Sequence, residues 1–244
     1  MAATSRDSGE KRTNSPGHPC FTARGVRRGA LEIAPLAMFV MPFGIAFGGA
    51  AAAKAVPASI AMLMSGSMFA GAAQFAVLDL WRDPLPLAML TLTVLAVNAR
   101  HILLGAALAP WFLRVPLARR LSALLFLSDP NFAQAMAARE RGELDAGILF
   151  GSGLAMWFVW LAGTAIGAYG GAYLGDLARF GFDAVMVSYF AAVVLGQWKS
   201  TRDLVPWIAA AAAALLGSRL LPPGWHIIVG ALAGGVAGAW RLGR

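Results

Sequence analysis

The sequence predicts an all-α integral membrane protein with about seven to eight hydrophobic helical segments, some of them broken or re-entrant. Three observations carry that expectation. The 244 residues are 59% hydrophobic and only 13% charged, whereas a soluble domain carries about 25% charged residues. The charges are gathered between blank windows about as long as the 17 to 25 residues a spanning helix needs. Those windows lack the two-residue alternation of an outer-membrane barrel strand, which leaves the helix as the spanning element.

The chain opens with residues 1–29, polar and punctuated by Pro and Gly, which are expected to be a disordered basic tail. A cleaved signal peptide fits poorly, because the first apolar run is longer than an h-region and starts about thirty residues in. Lys11, Arg12, Arg24, Arg27 and Arg28 precede that run and predict a cytoplasmic N-terminus. The net charge of +8 is therefore read as a topology signal and an attraction to anionic lipid, with no nucleic acid as partner.

Eight apolar segments follow: 30–53, 57–81, 84–113, 121–138, 146–175, 184–198, 204–221 and 225–240. The fourth and sixth are short for a full crossing. From Ile33 to Leu78 the only charge is Lys54, and from Pro84 to Leu113 it is Arg100. If the N-terminus is inside and the first three segments all cross, the loop with Arg114, Arg119 and Arg120 lands outside, against the positive-inside rule. One of the three is then not a simple crossing. The second segment, with "SGSMFAGAAQF" from Ser65 to Phe75, and the third, with "NARH" at 98–101, are the candidates for a break or re-entry.

Polar side chains in these segments are the candidate functional residues. An Arg near the bilayer centre costs about 2.5 to 3.5 kcal/mol on insertion scales, so such residues persist where they face a protein interior or a pathway. Asn98 and His101 are three apart and share a helix face, while Arg100 points elsewhere. Two readings stand here: a polar cavity lined by the cluster, or a helix end at which Arg100 snorkels and Asn98 caps the next helix. In "LLFLSDPNFAQAM", residues 124–136, Ser128 and Asp129 suit an N-cap and Pro130 a first helical turn. The fourth segment therefore reads as two short pieces joined near Asp129, the kind of half-helix junction at which secondary transporters bind solutes. The alternative is a plain surface turn, since Arg139, Glu140, Arg141 and Glu143 follow closely.

Small residues at three- and four-residue spacing, at 44–53, 66–73, 163–175 and 230–238, predict close helix contacts, Gly44 among them. Gly71, beside Gln74 in "FAGAAQF", is the one with a pathway reading. The eight Trp residues are read as an interfacial belt, as anchors and not as platforms. A short likeness between residues 67–75 and 188–198 suggests an inverted repeat.

Taken in order, "FAGAAQF" (69–75), "NARHILLG" (98–105), "LSDPNFAQA" (127–135) and "WFVWLAGTAIGA" (157–168), after the entrance "PFGIAFG" (42–48), resemble the AzlC family, the large subunit of two-component branched-chain amino acid permeases and exporters. The likeness covers the chain from Gly29 onward. It implies that residues 30–244 form a transmembrane transporter domain of the bacterial inner membrane. It also implies a small hydrophobic AzlD-type subunit as partner and export of leucine, isoleucine, valine or related amino acids. Where the family usually has an acidic residue after the Asp, Pro130 stands here; where it often has Tyr before the Gly of the RH motif, Leu104 stands.

The expected solute and ion pathway is Gln74, Asn98, Arg100, His101, Ser128 and Asp129, with Gly44, Met68, Phe69, Gly71 and Phe75 as pocket or close-packing residues. Arg100 or a half-helix N-terminus would take the substrate carboxylate, Asp129 the ammonium or a proton. His101 would be the proton carrier, since an unperturbed imidazole titrates near neutrality. No cofactor or metal is expected beyond proton coupling, because His18, His101 and His226 are scattered and Cys20 is alone. No enzyme activity is expected, for want of a nucleophile with a base. The rival functions are a non-transporting assembly subunit and a passive channel.

Overall fold

The computed structural model describes residues 20–174, 191, 195, 200–201, 204–221 and 225–242. The expectation for residues 1–19 of the tail lies outside the described residues. So do most of the sixth apolar segment and the second half of the suggested repeat, residues 188–198. Among the described residues the secondary structure is helix throughout, apart from one isolated bridge between Cys20 and Asp145.

The frame is a pair of parallel helices. The first, α1 (Ala23–Ala53), begins seven residues before the expected end of the tail. Its start is tied down: the Thr22 hydroxyl accepts the Gly25 N–H at 2.9 Å, and the Thr22 N–H donates to Asp145 at 3.0 Å. The second, α8 (Gly147–Leu174), lies along it with a constant offset, so that Gly29 meets Ile148 and Gly44 meets Gly163. A Cβ on Gly44 would sit 2.8 Å from the Trp160 carbonyl oxygen, and one on Gly163 would sit 2.6 Å from the Met41 carbonyl oxygen. Glycine is what allows the two backbones to approach this closely, as helices in lipid do.

The second apolar segment does not cross. It forms α2 (Ala58–Ser67) and α3 (Gly71–Asp79), separated by a break at 68–70. Lys54, at the end of α1, donates to the Leu78 carbonyl at 2.6 Å and pairs with Asp79 at 3.6 Å. Deeper in, Gln74 donates to Ser65 at 3.0 Å. Both ends of the segment therefore lie on one face, and α2–α3 is a re-entrant hairpin entering from the face where α1 ends.

The chain crosses back through α4 (Leu87–Asn98) and α5 (Arg100–Phe112), which run as one 26-residue span interrupted at Ala99. The positive loop expected to conflict with the topology thus returns to the face where α1 starts, and Arg119 stands 5.9 Å over the Phe21 ring. There the chain builds a second hairpin from α6 (Leu117–Leu125) and α7 (Asp129–Glu140), whose exit is tied to the start of α1 by an Arg28–Glu143 ion pair and by Gln134 donating to Glu32 at 3.3 Å. Helices α9 (Leu204–Leu220) and α10 (Trp225–Leu242) pack on each other, with Gly230 against Ala214 and Gly234 against Ala210. Among the described residues three helices are long and apolar enough to cross: Ala23–Ala53, Leu87–Phe112 and Gly147–Gly170.

Not all of the tryptophans form an interfacial belt. Trp160 is 5% exposed at the middle of α8 and stacks on Phe47 at 6.1 Å, and Trp111 is buried near the C-terminal end of α5. Glycines on both sides of Trp160 let α1 and α2–α3 close around it, which hydropathy along the chain does not reveal.

Candidate functional site

The two hairpins enter from opposite faces and their tips line one cavity. Between them and the α1–α8 pair is a cavity of about 90 Å³, lined from α1 by Val40 and Phe43, from α8 by Met156 and Trp160, from the first hairpin by Phe69, Gly71 and Phe75, and from the second by Ser128, Asp129 and Pro130. It lies at mid-depth, since Trp160 is the fourteenth of the 28 residues of α8. Irregular backbone is tolerated there because it is enclosed by protein.

Each tip is held by a different means. The tip of α6–α7 is fixed by Asn131, fully buried: its side-chain oxygen accepts the Ser128 N–H at 2.7 Å, and its amide donates to the carbonyls of Phe126 at 2.7 Å and Leu149 at 3.3 Å. The tip of α2–α3 is tied to α8 at the last turn of α2, where the Trp157 indole N–H donates to the Gly66 carbonyl at 3.3 Å, and α3 starts without a side-chain cap. Its arms are fixed by Ser65, which receives the Gln74 amide at 3.0 Å and the Trp160 indole N–H at 3.1 Å and lies 2.9 Å from the Thr164 hydroxyl.

The charge at the site is a pair. Arg100, the first residue of α5, reaches Asp129 at 2.7 Å. Their side chains are 39% and 37% exposed, so the ion pair contributes little to stability by itself; its interest is its position. The Arg100 Nε has no partner among the described residues, nor has the buried Asn98 Oδ1. A helix start is present at Asp129, whose partly exposed side chain lines the cavity.

Of the sequence-predicted residues, the structure brings Phe69, Gly71, Phe75, Ser128 and Asp129 onto the cavity, with Arg100 joined to it through Asp129. Gln74 is fully buried behind the wall, in the Ser65 network. Met68 ends α2 and is not on the lining, and Gly44 lies in the α1–α8 contact. Asn98 does not cap α5, whose N-cap is Ala99. His101 is bonded to the Asn98 carbonyl at 3.1 Å, away from the lining. Sequence reading missed Trp160 and Asn131. A capping-box spacing from Ser128 could have found Asn131, whereas Trp160 carries no local signal.

Apolar spanning helices, two opposed re-entrant hairpins and a partly exposed ion pair beside a cavity of about 90 Å³ define an all-helical membrane protein. Residues 35–174, more than half the chain, match the family model described as AzlC protein. The chain belongs to the AzlC family. Among curated proteins it is 31% identical to an uncharacterized membrane protein of Archaeoglobus fulgidus, over 88% of this chain and 94% of that one. It is 28% identical to the inner membrane protein YgaZ of Escherichia coli, over 86% of each. It is 27% identical to the branched-chain amino acid transport protein AzlC of Bacillus subtilis, over 78% of this chain and 76% of that one. No solved structure matches it.

Proposed function

We propose that the chain is the large subunit of a secondary transporter that exports branched-chain or related amino acids across the inner membrane, working with a small AzlD-type membrane subunit and coupled to protons. The observation that carries this reading is the Arg100–Asp129 pair at an apolar mid-depth cavity between two re-entrant tips. A zwitterionic amino acid offers the same two charges. Its ammonium can replace Arg100 at Asp129, and its carboxylate can take the freed guanidinium or the uncapped start of α3. Its aliphatic side chain suits the wall of Val40, Phe43, Phe69 and Phe75. Exchanging partners keeps both charges of this partly exposed pair compensated as the solute enters. His101, one residue from Arg100, is assigned the proton. The name of the Bacillus relative supports the substrate class.

A cytoplasmic N-terminus completes the reading. Between residues 20 and 174 the face where α1 starts carries Arg24, Arg27, Arg28, Arg114, Arg119, Arg120, Arg139 and Arg141, against Lys54 and Arg82 on the other. That asymmetry supports the orientation under the positive-inside rule.

Efflux of labelled valine or leucine from cells carrying Arg100→Ala, His101→Ala or Asp129→Asn tests the proposal. The Arg100 and Asp129 variants are expected to lose at least about tenfold in rate, the worth of roughly 1.4 kcal/mol. Undiminished efflux in all three removes the site.

A further inference from the structure

Resting on that reading of the cavity, we infer that Trp160 gauges the size of the solute side chain and that Ser65 is the positioning residue that holds the gauge. Trp160 is the largest side chain on the cavity wall, and its ring edge faces Gly71, where a Cβ would lie 2.8 Å from Cη2 and 3.3 Å from Cζ2. No side chain larger than hydrogen fits at position 71 unless the ring moves. The ring is also fixed from behind, by Phe47 stacked on it at 6.1 Å and by the indole N–H on the Ser65 hydroxyl at 3.1 Å.

Ser65 is the centre of a closed set of hydrogen bonds. With the Gln74 amide and the Trp160 indole both donating, both lone pairs of its oxygen are used, so its own proton goes to Thr164 at 2.9 Å. Ser65, Gln74 and Thr164 are fully buried. Three elements, α2, α3 and α8, thus converge on one hydroxyl that sets the angle of one ring. A buried indole N–H without its acceptor seeks another, and the ring turns with it. The cavity is small, about 90 Å³, so a shift of one ring changes which side chains enter.

The test is a ratio of rates, measured with the full chain in its native cells preloaded with labelled valine, leucine or phenylalanine. Trp160→Phe replaces the two-ring indole by a single phenyl ring, removes the N–H, and is expected to lower the preference for valine over phenylalanine about tenfold, the scale of a methylene-sized change in an apolar pocket. Ser65→Ala is expected to lower the same ratio by a smaller factor. Gly71→Ala is expected to act in the opposite sense, lowering leucine relative to valine. A merely structural role reduces all substrates alike and leaves the ratios as they are. Unchanged ratios in Ser65→Ala and Gly71→Ala overturn the gauge, whether or not Trp160→Phe folds, and leave the transport reading standing. Wild-type cells that move none of the three amino acids overturn both.

Discussion

The two re-entrant hairpins occupy equivalent places, one from each face, yet are built from opposite chemistry. The tip of α2–α3 is apolar, with Met68, Phe69 and Ala70 at the break, and its polar groups lie in the arms where Ser65 meets Gln74. The tip of α6–α7 is polar, with Ser128 and Asp129 at the break and Asn131 bonding it to α8. One hairpin supplies shape and the other supplies charge. A zwitterion with an aliphatic side chain needs both at one place, and two hairpins of the same chemistry would leave one end of it unmatched.

The sharpest way to break this contrast is to neutralise one tip and repack the other. Asp129→Asn is expected to reduce valine efflux at least about tenfold, whereas Met68→Leu, a volume-conserving apolar swap, leaves it within about twofold. Equal losses would erase the distinction. Next in size is Asn131→Ala, which strands the Phe126 and Leu149 carbonyls and the Ser128 N–H and is expected to cost about 1–3 kcal/mol, read by thermal unfolding in detergent. Gln74→Leu, in the shape-giving hairpin, is expected to cost less, about 0.5–1.5 kcal/mol, because the Gln74 Oε1 has no partner among the described residues. Lys54→Ala removes a half-exposed pair with Asp79 and a bond to the Leu78 carbonyl at the base of that hairpin, with an expected loss of no more than about 1 kcal/mol.

The smallest effect sits at the base of the charged hairpin. Burial, and then the negative charge of Asp145, raise the Cys20 thiol above its ordinary range, which leaves less thiolate near neutral pH. Maleimide labelling of Cys20 is expected to run several-fold slower than that of a free thiol at pH 8 and to approach it as the pH rises. Labelling at the rate of a free thiol would show that the start of α1 is not docked against Leu144 and Ala146 as the bonds at 3.1 and 2.8 Å require.

Much of the fold was legible along the chain because the signals are local. Charge-free windows mark the spanning segments, the small-residue run at 65–75 and the cluster at 98–101 mark two candidate breaks, and Ser128, Asp129 and Pro130 mark a further one. The Gly44–Gly163 contact follows from small-residue spacing in the same way. The site was legible in part. Arg100 and Asp129 stand out as charges in apolar sequence, but their pairing joins residues 29 positions apart on different elements. Gln74 looked like a pathway residue for the same reason, and its partner Ser65 turns it inward.

The sequence by itself determined an all-helical membrane protein with broken segments, because helix length, turn chemistry and the cost of charge in lipid act residue by residue. Only the tertiary structure decided that the second segment turns back, since 22 residues from Ala58 to Asp79 can cross a bilayer or fold into a hairpin, and the Lys54 bond to the Leu78 carbonyl selects the hairpin. It also decided that Trp160 faces the cavity. A tryptophan in an apolar run satisfies its N–H equally well at an interface or on a buried hydroxyl, and which one it meets depends on the packing of another helix.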